Sequence, residues 1–182
     1  DGRSDSTFVE EIMLYQKIPL VIFQLHVHWH AEHRLAKVAF PLNVKSDFTT
    51  YEVPYGHITR RNPVSTYATL AERAKYEVPG QKWIDHSSDD GGYGISLLND
   101  CKYGFDSIND TIRMTLLRSA KYPVELCAHF GLPVDEKARS ETTDQGEHYI
   151  SYALYPHRSS FKEALTARKA YEFNYPPIPL IE

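Results

Sequence analysis

Residues 19 to 30 alternate between two sets of side chains. Val21, Phe23, Leu25, Val27 and Trp29 make one face wholly apolar, while Leu20, Ile22, Gln24, His26, His28 and His30 make the other. A period of two is that of a β-strand with one face buried. Weaker versions of the pattern predict strands over 8–15, 34–40, 48–53, 93–98, 111–118 and 147–155, each closed by Pro, Gly, Asn, Asp or Ser. Helix is predicted once, after His157. There Ser160 and Glu163 have capping-box spacing, and Phe161, Ala164, Leu165 and Ala167 begin a helical apolar stripe that ends near Tyr171. Many strands and one short helix near 160–172 imply an all-β, antiparallel β-sandwich. Tyr-Glu-Val-Pro occurs at Tyr51 and again at Tyr76, but four residues do not make a repeat.

Residues 91 to 106 stand out within this pattern. Gly91, Gly92 and Gly94 precede a short apolar run, Ile95, Leu97 and Leu98, which hands on to Asn99, Asp100, Lys102 and Tyr103. Glycines admit backbone conformations that other residues resist, and polar groups at the end of a rigid strand are placed to meet a ligand. An ordinary hairpin accounts for the same residues, because Asn-Asp and Tyr-Gly are common turn pairs.

Composition narrows the class. The chain has 182 residues, 42% hydrophobic and 24% charged, with a formal net charge of -4, which suits one domain with a sizeable core. Basic residues are dispersed, so neither nucleic acid nor an anionic membrane surface is expected as a partner. Cys101 and Cys127 are too few for a disulfide framework and favour a reducing, cytoplasmic setting, with a single bridge between them left open. No apolar run is long enough to span a bilayer, and no secretory leader is apparent. A start at Asp1 and a proline-rich exit from Pro176 read as an excised piece, with one domain over 1–177 and a tail or linker at 178–182.

A series of ordered blocks extends the reading beyond local chemistry. They include Trp29-His30-Ala31-Glu32-His33-Arg34, Tyr51 to Ile58, Tyr76 to Asp85, the glycine segment itself, Leu116 to Pro123, Asp144 to His148, Tyr152 to His157 and Ala170 to Asn174. Together they resemble the C-terminal β-domain of family-38 glycoside hydrolases, the retaining α-mannosidases, over roughly residues 8 to 177. The resemblance implies a supersandwich related to the galactose-mutarotase fold. It also implies a parent that removes terminal non-reducing α-linked mannose with retention, using a divalent metal, usually zinc. The implied partners are the N-terminal catalytic and helical domains of the same enzyme and a mannose-containing oligosaccharide, and assembly as a homo-oligomer is left open. The stretch from Pro123 to Thr143 is longer than the family pattern and is expected to be a mobile surface insertion. A free-standing carbohydrate-binding or interaction domain with the same fold is the alternative.

Retaining glycosidases need two carboxyl groups, and the family's metal motif is Asp-x-His-x-Asp. That motif is absent, and the family's nucleophile lies in a domain outside this sequence, so no catalytic residue is expected here. Asp85, Asp89, Asp90, Asp100 and Asp106 cluster around the glycine strand as the nearest substitute for a carboxyl pair. No metal or other cofactor is expected in this chain itself; His26, His28 and His30, which share one strand face about 6 to 7 Å apart, are the fallback candidates, since same-face residues on one strand usually diverge too far to share an ion. Asn99, Asp100, Lys102 and Tyr103 are the candidates for substrate contact.

Overall fold

A computed structural model describes residues 5–121, 124–133 and 142–179. Two antiparallel sheets face each other. The larger has the order β1 (Thr7–Tyr15), β2 (Ile18–Trp29), β11 (Gly146–Arg158), β8 (Tyr93–Asn99), β7 (Trp83–Ser87), β4 (Phe48–Val53) and β5 (Gly56–Arg61). The smaller runs β3 (Leu35–Pro41), β10 (Thr111–Arg118), β9 (Gly104–Ile108) and β6 (Val78–Pro79).

The face predicted to be apolar is the face that meets the second sheet. Phe23, Leu25, Val27 and Trp29 from β2 join Tyr51, Ile84, Leu97, Ile150 and Tyr152 of the same sheet, and these pack on Phe105, Ile112 and Met114 of the other. Phe23 stacks on Tyr152 with ring centroids 5.0 Å apart, and Phe40 of β3 closes over both. Alternation along each strand thus becomes one interior.

A second apolar layer covers the outer face of the larger sheet. Leu20, Trp83, Leu98, Ala153 and Tyr155 pack against Phe161, Ala164, Ala170 and Phe173, from the helix α3 (Thr166–Asn174) and the turn before it. This explains the mixed face of β2. Leu20 and Ile22 lie in this second layer, whereas Gln24, His26 and His28 run beyond it and stay polar.

The helix differs from its prediction. Ser160 and Glu163 do form a reciprocal pair, with Ser160 N donating to Glu163 Oε2 at 3.2 Å and Glu163 N to Ser160 Oγ at 3.4 Å. That pair closes only a turn, because Leu165 then adopts a left-handed conformation at φ 56° and the helix starts at Thr166. It ends at Asn174, three residues beyond Tyr171. Two short helices were not predicted. Thr69 and Glu72 form a capping box on α1 (Leu70–Arg73), and α2 (Val124–His129) lies inside the stretch read as an insertion. Residues 134–141 of that stretch, where mobility was expected, lie outside the described residues. Strands β5, β6, β7 and β9 also lacked a clear signal, since Trp83–Ser87 carries Asp85, His86 and Ser87 in its interior.

Those polar residues are buried and paired. Asp85 lies under the start of α3, where its Oδ1 accepts from Ser87 Oγ at 2.5 Å and its Oδ2 accepts from Ser96 Oγ at 2.7 Å and lies 2.7 Å from His157 Nε2. Ser96 Oγ is also 2.7 Å from Thr166 Oγ1. The single Ser96 proton goes to the carboxylate, so Thr166 is the donor in this second contact. Desolvation alone pulls the His157 imidazolium down, but the Asp85 carboxylate outweighs it and the net shift is upward.

Gly94 has a packing reason. A Cβ there would lie 2.4 Å from Ser87 Oγ, 2.8 Å from His157 Cε1 and 3.0 Å from Ser87 Cα. Gly91 has the conformational reason, with φ at +71°.

Gly94→Ala is therefore expected to destabilise the fold by about 1–3 kcal/mol, the usual range for overpacking, read as a lower urea midpoint; an unchanged midpoint would show that the strand has room to spare. The stabilisation from His157 is fully present below 6.5, the ordinary imidazole value, and is lost as the pH rises through the raised one. The stability gap between the parent protein and His157→Gln should accordingly shrink on the alkaline side, and a gap constant from about pH 5 to about pH 9 would count against the ion pair.

Candidate functional site

Strand β8 ends in a loop whose conformation is set by Asn99. This residue is fully buried. Its Nδ2 donates to Gln81 O at 2.8 Å, its Oδ1 accepts from Lys102 N at 2.7 Å, and its carbonyl accepts from Asn174 Nδ2 at 3.0 Å. Asp100 is held to β11, accepting from Ser151 N at 3.2 Å through Oδ1 and donating its own N–H to Ser151 O at 3.2 Å. Asn99 thus spends its polar groups on the fold, while Asp100 is exposed and commits Oδ1 and its backbone amide. Lys102 is half-buried beside them, and Tyr103 is 53% exposed.

Tyr103 lines a cleft of about 490 Å³ with Glu52, Pro79, Gln81, Lys82 and Tyr175. Three elements converge here: the end of β4, the loop entering β7, and the chain leaving α3. Gly80 N donates to Tyr103 O at 3.1 Å, which ties two of the walls together. Glu52 is buried, and its Oε2 accepts from Lys82 N at 2.6 Å, while Lys82 Nζ lies 3.7 Å from Oε1 and 4.7 Å from the centre of the Tyr171 ring. Such a cleft offers aromatic faces, one carboxylate and one ammonium. It can bind a polyhydroxylated ligand, but it lacks a second lining carboxylate with which to perform double displacement.

The acids that cluster in sequence do not come together. Asp85 lies under α3, whereas Asp106 lies on the outer face of the smaller sheet, ion-paired with Lys37 at 2.6 Å and Arg113 at 2.6 Å. Asp89 accepts from Ser46 Oγ at 2.7 Å, and Asp90 accepts from Ser88 Oγ at 2.6 Å and Gly92 N at 3.0 Å. Each carboxylate already has its donors. Asp85, His157 and Ser96 have the residue types of a hydrolytic triad without its geometry, since Ser96 donates to the aspartate rather than to the histidine. Burial, followed by the neighbouring Asp100 carboxylate, pushes the Cys101 thiol up to about 12. Both cysteines are free thiols, and the upward shift favours the protonated, less reactive form at Cys101.

The histidine row splits: His26 turns away to a tyrosine, while His28 and His30 come together. His26 stacks on Tyr149 with ring centres 4.4 Å apart, while His28 and His30 meet through their Nε2 atoms at 3.0 Å. Among the described residues no three His, Cys, Asp or Glu side chains are grouped to hold a metal ion. The described residues thus do not form a site that fits the divalent metal implied by the resemblance.

Of the four residues that the sequence singled out, Tyr103 lines this cleft and Asn99, Asp100 and Lys102 do not, and its neighbours there carried no signal. Glu52, Lys82 and Tyr175 reach the cleft from segments far apart in the chain, and nothing local marks them as partners.

The model of the glycosyl hydrolases family 38 C-terminal domain matches residues 2–125. Human alpha-mannosidase 2C1 is 36% identical over 176 residues, covering 97% of this chain and 15% of that protein. Alpha-mannosidase from Saccharomyces cerevisiae is 40% identical over 148 residues, covering 81% of this chain and 12% of that protein. The crystal structure of an alpha-mannosidase from Enterococcus faecalis V583 superposes with a TM-score of 0.71 at 19% identity, covering 93% of this chain and 18% of that one. The chain thus spans less than a fifth of the length of these relatives, and it belongs to the family of glycosyl hydrolase family 38 C-terminal domains.

Proposed function

We propose that this chain is the β-sandwich part of an α-mannosidase that removes terminal non-reducing α-linked mannose with retention. The observation that carries the reading is the family match together with the mannosidases it resembles, each several times longer. In this reading the catalytic carboxyl pair and the zinc ligands belong to the remainder of that polypeptide; among the described residues no metal-ligand group assembles, and the Tyr103 cleft is lined by one carboxylate. The role of this part is to support the catalytic domain and to shape the substrate site.

Two features support the supporting role. Strand β1 exposes Phe8, Val9, Ile12 and Leu14 at the free edge of the larger sheet. A long apolar edge normally needs cover, and the catalytic and helical domains of the same polypeptide are the natural source. The free thiols of Cys101 and Cys127 suit a reducing compartment, in keeping with a cytoplasmic enzyme.

Substrate contact falls to the loop that Asn99 and Asp100 hold in place. Lys102 supplies a donor and Tyr103 an aromatic face for the apolar side of a pyranose. Their backbone is fixed before any ligand arrives, which limits the entropy lost on binding. No proton transfer is assigned to them, and their effect is on binding and orientation.

In the full-length enzyme, Lys102→Ala and Tyr103→Ala are each expected to raise KM for an aryl α-mannoside by roughly fivefold, with a smaller effect on kcat, as the loss of uniform binding does. Steady-state kinetics test the contact, and unchanged KM in both variants argues against it. Proton NMR of the first-formed sugar tests the parent activity. The α anomer is expected, and a β anomer or no turnover would remove the retaining mannosidase from consideration.

A further inference from the structure

The cleft beside Tyr103 continues past Glu52. Glu52, Val53 and Gln81 line both it and a second cleft of about 520 Å³. One wall of the second cleft is the β4–β5 turn, with Tyr55 and His57, and the other is α3 and the preceding turn, with Phe161 and Tyr171. We propose that the two clefts form one groove that binds a run of α-linked hexose units beyond the one that is hydrolysed. The proposal deepens the mannosidase reading and rests on it.

Three observations carry it. First, the groove is edged by exposed aromatic rings: Tyr103 in the first cleft, Tyr175 at its rim, and Tyr171 and Tyr55 in the second. Exposed tyrosines gathered along one depression are unusual for surface that only meets water. A pyranose has an apolar C–H face for such rings and hydroxyls for the polar atoms between them. Second, the floor of the second cleft is aromatic as well. Trp83 and Phe161 both line it, with ring centroids 5.2 Å apart, and such rings offer faces to the C–H side of a sugar.

Third, the charges select against an anionic ligand. Lys82 faces the Glu52 carboxylate and the Tyr171 ring, and Arg168 on α3 donates to Glu172 Oε1 at 2.8 Å. Lys82 and Arg168 are thus matched by carboxylates, and Lys162, which also lines the second cleft, lies 5.8 Å from the centre of the Phe161 ring; the pairing favours an uncharged, hydroxyl-rich molecule. Two connected lobes of similar size, each in the range of small-ligand sites, favour a chain of sugars over a single one.

The experiment uses the full-length protein and compares an α-linked mannotriose with an aryl α-mannoside, whose single sugar cannot fill the groove. Tyr171→Ala and Tyr55→Ala are expected to lower the ratio of kcat/KM for mannotriose to that for the aryl mannoside by about tenfold. Tyr171→Phe should restore most of it, because the ring is what the sugar meets. A ratio that stays at the parent value in both alanine variants overturns the groove, even if turnover of both substrates falls. Absence of turnover in the unmutated protein would instead remove the mannosidase reading. Calorimetric titration with mannotriose then decides about the groove. Binding weakened by about tenfold in Tyr171→Ala supports it; no binding, or equal binding, overturns it.

Discussion

The Asp85 carboxylate meets Ser87, Ser96 and His157 in a space closed above by Thr166 and α3. It stands at the place where the sandwich has to be covered twice. Strands β7 and β8 bury one face, through Ile84 and Leu97, against the smaller sheet, and the other, through Trp83 and Leu98, against the helix. A strand buried on both faces has nowhere to put a polar residue except into a complete set of hydrogen bonds. Asp85, Ser96, His157 and Thr166 form such a set, and they fix where the helix lies on the sheet. Gly94 belongs to the same constraint, because a larger residue would push His157 away from the carboxylate.

The position of the helix has consequences at its far end. Asn174, the last residue of α3, donates from Nδ2 to the carbonyl of Asn99, so the helix and the β8 loop are joined directly. Asn99 in turn holds Gln81 and Lys102. Through these bonds α3 stands opposite the β4–β5 turn, and the space between them is the proposed groove. A surface built this way is rigid because its walls are secondary structure tied to the core, and its loop carries little freedom to lose.

Binding and chemistry are kept apart in this chain. Every carboxylate near the glycine strand is already engaged: Asp85 by hydroxyls and an imidazole, Asp106 by Lys37 and Arg113, Asp90 by Ser88 and Gly92. Hydrogen bonds to Ser88 and then to the Gly92 amide draw the Asp90 carboxyl below its usual range, which makes it a poor general acid. Glu52 sits in the cleft without a partner carboxylate. In the proposed function the chain supplies aromatic faces and fixed amides, and the displacement at carbon falls to groups elsewhere in a longer polypeptide.

Local pattern was enough to establish that the chain is a sandwich of antiparallel strands and which face of β2 points inward, since the two-residue period of side chains is a property of each strand alone. The ordered blocks around Gly91 to Tyr103 were enough for the family. The strand Trp83–Ser87 was not legible, because its Asp-His-Ser interior reads as loop until its partners are known. Those partners are distant: His157 is 72 residues from Asp85, and Thr166 is 70 from Ser96. The same holds for the start of α3, where the Ser160–Glu163 spacing was right and the left-handed Leu165 still postponed the helix. It holds again for Glu52, Lys82, Tyr171 and Tyr175, which line two neighbouring clefts only because sheet pairing and helix docking bring three segments together. Residue type and spacing record what each segment can bury, while contacts between segments depend on which surfaces are left to be covered, and only the tertiary structure decides that.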